Sequence, residues 1–107
     1  MPAQVDKNRL LNEAAAHGEF GAMDRLLNDG LDIDAMSEST SKSGKSIQTT
    51  ALHTAVAYSQ EATVQMLLDH GANPNLAYRG YTALMGAAGK GSLALMRLLL
   101  EAEAELD

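Results

Sequence analysis

The feature that most limits what this chain can fold into is a sequence pattern that repeats every 32 residues. The stretch TALH at 50–53 recurs as TALM at 82–85, and the leucine pair at 67–68 recurs at 99–100. A sustained period of this length is typical of repeat arrays, in which each unit is one supersecondary element that cannot bury its apolar face alone. The pattern therefore predicts an array that presents an extended surface.

A third copy of the pattern lies upstream, at a spacing of 41 residues: Leu11 aligns with Leu52, and the leucine pair at 26–27 aligns with 67–68. The extra nine residues fall between Asp34 and Thr50, in a stretch rich in serine and threonine. We therefore predict a single domain over 1–107 with three units. The units cover about 8–36, 46–77 and 78–107, with a Ser-rich insertion at about 37–46.

The apolar residues of the second unit have helical spacing. A first stripe at positions i, i+3 and i+4 consists of Leu52, Ala55 and Val56. A second stripe with the same spacing consists of Val64, Leu67 and Leu68. Such stripes predict two amphipathic helices. Gly71 is suited to the left-handed conformation that ends the second.

Each unit resembles an ankyrin repeat. The family pattern has a hairpin finger, a first helix with T-P-L-H-x-A-A-x-x-G, and a second helix ending L-L-x-x-G-A-x-x-N. The matching stretches are AAAHG at 14–18, TALHTAV at 50–56, LLDHGANPN at 67–75 and AAGKG at 87–91. The resemblance covers nearly the whole chain. It implies an all-α, ankyrin-like helix-turn-helix solenoid of three repeats with short hairpin fingers. It also implies that the hydroxyl of Thr50 caps the first helix of the second unit.

Some positions depart from the family pattern. The family proline is replaced by Ala51 and Ala83, and Ser59 stands where the third unit has Gly91. The glycine that ends the second helix is Glu103 in the third unit. Such departures are typical of a natural, diverged sequence rather than an idealised one.

Composition limits the classes of function. The aromatic content is only 4%, which is compatible with helices that pack closely on alanine. Cysteine is absent, which excludes disulfides and thiolate metal sites. The N-terminus lacks the apolar core of a signal peptide, and no run approaches 18 apolar residues. We therefore expect no membrane partner and a cytoplasmic location, with the nucleus equally open in a eukaryote.

The charge of the chain argues against nucleic acid as a partner. The formal net charge is −6, whereas nucleic-acid-binding proteins carry a basic stripe or patch. Residues 1–40 alone hold eight acidic and three basic side chains. An acidic surface favours a basic partner, although overall charge is a weak guide to one local face.

Three motifs could be interpreted as catalytic, but each has a simpler structural interpretation. The resemblance implies that His53 bonds backbone groups near a finger and holds neighbouring repeats together. Gly44-Lys45-Ser46 is similar to the end of a P-loop, but residue 39, where the first glycine would stand, is serine. The acidic run that begins at Glu101 is typical of solvated surface. We expect no enzymatic activity, no metal site and no cofactor. The remaining enzyme hypothesis, a phosphate-binding enzyme built on the P-loop-like motif, would be excluded if the protein neither binds nor hydrolyses ATP.

The resemblance implies protein–protein recognition through the finger tips and the concave face of the first helices. Matched by register, the contact positions are Gln48, Thr49, Tyr78, Arg79 and Tyr81 near the fingers, and His17, Tyr58 and Lys90 at the ends of first helices. Tyrosine and arginine are enriched among residues that dominate binding energy. We predict that the three tyrosines and Arg79 form one exposed patch. The alternative is a structural role, as a segment of a longer array or a module that positions another domain.

The last unit has an unusual outer surface. Where the second unit has Glu61, Thr63 and Met66, the third has Leu93, Leu95 and Leu98. Because a terminal repeat needs a polar outer face to stay soluble, we predict that these leucines are exposed. Three interpretations stay open: further chain follows, the acidic run shields the face, or the C-terminal repeat self-associates.

Overall fold

The computed structural model describes residues 7–40, 43–78 and 80–102, except for the side chains of residues 39, 40 and 78. Two of the predicted contact groups, Arg79 and the side chain of Tyr78, therefore lie outside the described residues. Glu103 and the rest of the acidic run after Ala102 also lie outside them.

The described residues form three helix-turn-helix pairs. The pairs are α1 (Lys7–His17) with α2 (Phe20–Asn28), α3 (Ala51–Ala57) with α4 (Glu61–Asp69), and α5 (Ala83–Lys90) with α6 (Leu93–Glu101). Helix α3 packs between α1 and α5, and α4 packs on α6, so successive units stack into a body of 43 × 30 × 20 Å. Within the described ranges no helix has the length and apolar character needed to cross a bilayer.

A two-stranded antiparallel hairpin precedes the first helix of the second and third units. The strands are β1 (Ser37–Thr40) with β2 (Ser46–Thr49), and β3 (Ala77–Tyr78) with β4 (Tyr81–Thr82). The first hairpin pairs four residues per strand, whereas the second pairs two. Ladder pairing therefore makes the described part of the Ser-rich insertion a lengthened finger of the second unit.

A buried side chain of α1 holds the base of the longer finger. The Asn12 Nδ2 atom donates a hydrogen bond to Ser37 Oγ and another, at 3.3 Å, to the backbone carbonyl of Thr49. All three residues are buried. Asn12 therefore contacts both strands where the hairpin begins, and it ties the finger of the second unit to the first helix of the first unit.

The predicted helix ends are confirmed. Thr50 Oγ1 accepts a hydrogen bond from the backbone N–H of His53 at 3.2 Å, and Thr82 Oγ1 accepts one from Met85 at the same distance. These are the side-chain caps that satisfy otherwise unpaired N–H groups at a helix start. After α4, Gly71 has a φ of +91°, the left-handed conformation that favours glycine.

The core is one continuous cluster of alanine, leucine and valine side chains with Met23. The prediction that Leu95 is exposed is wrong, because Leu95 is fully buried in this cluster. Its position corresponds to that of Thr63 in the second unit, which is also fully buried. Leu98 is half-buried, whereas Leu93 is 73% exposed, as predicted.

Candidate functional site

A shallow groove lies between the first helices of the second and third units. It extends from the second finger, at the N-terminal end of α5, to Lys90 at the C-terminal end of that helix. Its lining is mostly small or apolar and consists of His53, Val56, Ala57, Tyr81, Ala83, Gly86, Gly89 and Lys90. A groove of this character, with a few polar groups at its ends, is suited to an apolar segment of a partner.

The most prominent side chain of the groove is Tyr81, which is 53% exposed. A Cβ atom added at Gly86 would lie 3.0 Å from the Tyr81 hydroxyl oxygen and 3.3 Å from Cγ1 of Val56. The tyrosine therefore lies against α5 at a point where glycine leaves room for it. Close packing on one side and solvent on the other give a preorganised, half-exposed aromatic ring.

His53 supports the finger that carries Tyr81. Its Nδ1 atom lies 2.7 Å from Thr50 Oγ1, and its ring centroid is 6.4 Å from that of Tyr81. Burial of the ring lowers the pKa of His53 below its ordinary value of 6.5, and the backbone carbonyls of Tyr81 and Leu76 partly offset this. The imidazole is therefore neutral at neutral pH, and its ring contact with Tyr81 links the second unit to the finger of the third.

Tyr58, which directly follows α3, lies beside His17, the last residue of α1. Their ring centroids are 6.4 Å apart with the planes inclined by 59°, and Tyr58 is 60% exposed. Tyr58 directly follows Ala57, which lines the groove. The pair thus extends the groove toward the first unit. That Tyr78 and Arg79 join the same patch stays a prediction.

The two candidate residues of the first finger differ in exposure. Gln48 is exposed, whereas Thr49 is buried. The Thr49 Oγ1 atom lies 3.3 Å from the carbonyl oxygen of Thr50 and 3.4 Å from Thr54 Oγ1. Thr49 is the last residue of β2, at the base of the finger beside Asn12, whereas the three preceding residues of the strand are exposed. Thr49 is therefore corrected from a contact residue to a packing residue, and neither lines the groove.

Sequence reasoning missed Gly86 and Val56 as residues of this groove. Gly86 lies within α5, at the position of Thr54 in the second unit. Glycine inside a helix costs about 1 kcal/mol relative to alanine and usually has a packing reason. That signal was present in the sequence. Val56 gave no such signal, because it fits an ordinary buried stripe.

The P-loop-like motif lies in the first finger. Ser46 begins β2, and its hydroxyl donates a hydrogen bond to Glu38 Oε2 at 2.6 Å. A P-loop needs a helix directly after the Lys-Ser pair so that backbone N–H groups point at phosphate. Here a strand follows instead, so the motif is part of the hairpin.

Comparison with known proteins agrees with this architecture. A family model described as ankyrin repeats, in three copies, matches residues 11–107. No curated protein matches the chain. The three matched copies agree with the three helix pairs, and the matched region includes the whole groove between α3 and α5.

Proposed function

The chain belongs to the ankyrin repeat family, whose members are generally protein–protein interaction modules, and we propose that it binds a polypeptide partner in the groove between α3 and α5. The observation that carries this proposal is the packing of Tyr81 against Gly86. A ring that is already ordered loses little conformational freedom on binding, which favours affinity.

The lining of the groove indicates the chemistry of the partner segment. Ala57, Gly86 and Gly89 make a floor without large side chains beside the aromatic ring of Tyr81. Such a floor lets a partner bring its backbone close or insert an apolar side chain against the tyrosine. We propose a segment with at least one aromatic or large aliphatic residue, and Tyr58 as a second contact.

Affinity capture from a cell extract tests this function. The baits are the unchanged protein, a Tyr58→Ala/Tyr81→Ala variant, and a matched Phe20→Ala/Ile47→Ala variant. Phe20 and Ile47 are 44% and 39% exposed and do not line the groove, so they control for the loss of exposed apolar area. Any captured protein is then purified and its affinity for each variant is measured directly.

We expect the groove variant to lose at least roughly thirtyfold in affinity if one tyrosine contributes about 2 kcal/mol. The control variant should bind like the unchanged protein. All variants should keep the same helical content by circular dichroism. A partner that binds the groove variant normally but is lost with the control variant would place the binding surface elsewhere.

A further inference from the structure

Both ends of the stack carry an apolar face. The C-terminal face belongs to the third unit and consists of Leu84, Ala88, Met96 and Leu100. In the same register, the first unit has Leu11, Ala15, Met23 and Leu27. The residue types at these four positions are identical in the two units. Leu11, Ala15 and Met23 are at most 1% exposed, whereas Leu100 is 42% exposed and Ala88 is exposed.

The N-terminal face belongs to the first unit. Its apolar residues are Leu10, Ala14, Ala22 and Leu26, and they line a groove between α1 and α2 whose remaining lining is charged: Glu13, Glu19 and Arg25. The equivalent residues of the third unit are Ala83, Ala87, Leu95 and Leu99, all at most 1% exposed. Leu10, in contrast, is 39% exposed, and Ala22 and Leu26 are half-buried. This face thus offers positions that are buried in the later units.

The two end faces match each other in the same way as the two faces that meet at each junction between units inside the chain. Inside the chain, the positions of the C-terminal face in one unit and of the N-terminal face in the next unit lie in one common core, although Leu27 and Leu68 are only half-buried and Thr63 is a buried polar side chain. The N-terminal face has the same composition as its counterpart in the third unit, because leucine and alanine exchange places between the two helices. Exchanges that conserve apolar volume are the ones that packed cores tolerate best.

We infer that the C-terminal face of one copy of this protein stacks on the N-terminal face of a second copy. The junction between the copies repeats the arrangement of the junctions within the chain. Such contacts are heterologous, since two different faces meet, and a heterologous contact that does not close into a ring produces open chains. Self-association should therefore pass through dimers, trimers and larger species, whereas pairing of two C-terminal faces would stop at the dimer.

Sedimentation of the unchanged protein over a wide range of concentration is the first test. We expect the average mass to rise continuously, without a plateau at the dimer. Leu10→Glu changes only the N-terminal face, and Leu100→Glu changes only the C-terminal face. Ile47→Glu is the matched control, because Ile47 is 39% exposed like Leu10 and lies on the first finger.

Each single-face variant alone should associate at least roughly tenfold more weakly, because a carboxylate replaces a leucine that the junction buries. An equimolar mixture of the two should form dimers and nothing larger, since each variant supplies the intact face that the other lacks. Ile47→Glu should behave like the unchanged protein. Leu93→Glu, at a 73% exposed position beside Met96 and Leu100, is a second variant of the C-terminal end.

Two results would overturn the inference. One is a protein that stays monomeric at all concentrations. The other is a dimer that forms unchanged in Leu10→Glu alone and is absent in Leu100→Glu alone, which would indicate pairing between two C-terminal faces. The first result is measured on the unchanged chain, and the second on variants at exposed positions, whose folding circular dichroism verifies.

Discussion

At the scale of single residues, His53 couples the fold to pH. Burial lowers the pKa of its imidazole in the folded protein, so in the interval below 6.5 the unfolded chain binds more protons than the folded one. The free energy of unfolding therefore rises with pH in this interval. The stabilisation is complete above the unfolded pKa and is lost as the pH falls through the folded pKa.

We predict that the protein is less stable at about pH 5.5 than at about pH 7.5, with part of the loss due to His53. Urea unfolding of the unchanged protein and of His53→Gln at several pH values measures this. The substitution should lower stability at neutral pH, where it removes the contact with Thr50 Oγ1, and it should flatten the pH dependence. If stability changes with pH in the same way in the two proteins, His53 does not contribute to the pH dependence.

At the scale of one element, α5 contains two glycines with different surroundings. A Cβ atom added at Gly86 would contact the Tyr81 hydroxyl and Val56, whereas a Cβ added at Gly89 would have no neighbouring atom within 4 Å. Replacing either by alanine raises helix propensity by up to about 1 kcal/mol. Only at Gly86 must a neighbouring side chain move to make room.

We predict that Gly89→Ala stabilises the protein by about 0.5–1 kcal/mol and that Gly86→Ala stabilises it less or destabilises it. Urea unfolding gives the stabilities, and nuclear Overhauser contacts between the Tyr81 ring and the Val56 methyl groups report the position of the ring. In Gly86→Ala these contacts should weaken, and in Gly89→Ala they should persist. Equal stabilisation with unchanged contacts in both variants would mean that Tyr81 does not depend on Gly86.

At the scale of the whole molecule, stability depends on the junctions between units, because each unit contacts only its neighbours in the stack. Thr63 is a weak point of the first junction. Its hydroxyl is fully buried and has no hydrogen-bond partner among the described residues, and it lies 3.5 Å from where a Cβ of Gly18 would stand. A buried hydroxyl without a partner costs about 1–3 kcal/mol.

We predict that Thr63→Val raises the free energy of unfolding of the entire domain by about 1 kcal/mol, since valine has the same shape without the polar group. Thr54→Val is the matched control, because Thr54 is also buried but its hydroxyl lies 3.4 Å from Thr49 Oγ1. The control should be neutral or destabilising. Urea unfolding midpoints compare the two variants, provided that the denaturant slope is unchanged. A loss of stability in Thr63→Val would show that the Thr63 hydroxyl has a hydrogen-bond partner in the folded protein.

The sequence by itself determined the number of units, the order of helices and the residues at their ends. The repeat predicted the three helix pairs, and Thr50 and Gly71 marked helix ends that the structure confirms. Ser59, which departs from the family pattern, has a positive φ of 56°, and Gly91 at the same position of the next unit has a φ of 67°. These features depend on side chains within about four positions along the chain, so local sequence is sufficient to predict them.

Tertiary structure alone decided which side chains reach the surface. Leu93 and Leu95 are both leucines of α6, yet one is 73% exposed and the other fully buried. Thr49 turned inward beside the exposed Gln48, and the Ser-rich insertion paired as a hairpin. The physical reason is that exposure depends on where the neighbouring unit or strand lies. Those neighbours are tens of residues away in the chain, as with Asn12 and Thr49, and their positions are set only when the units stack.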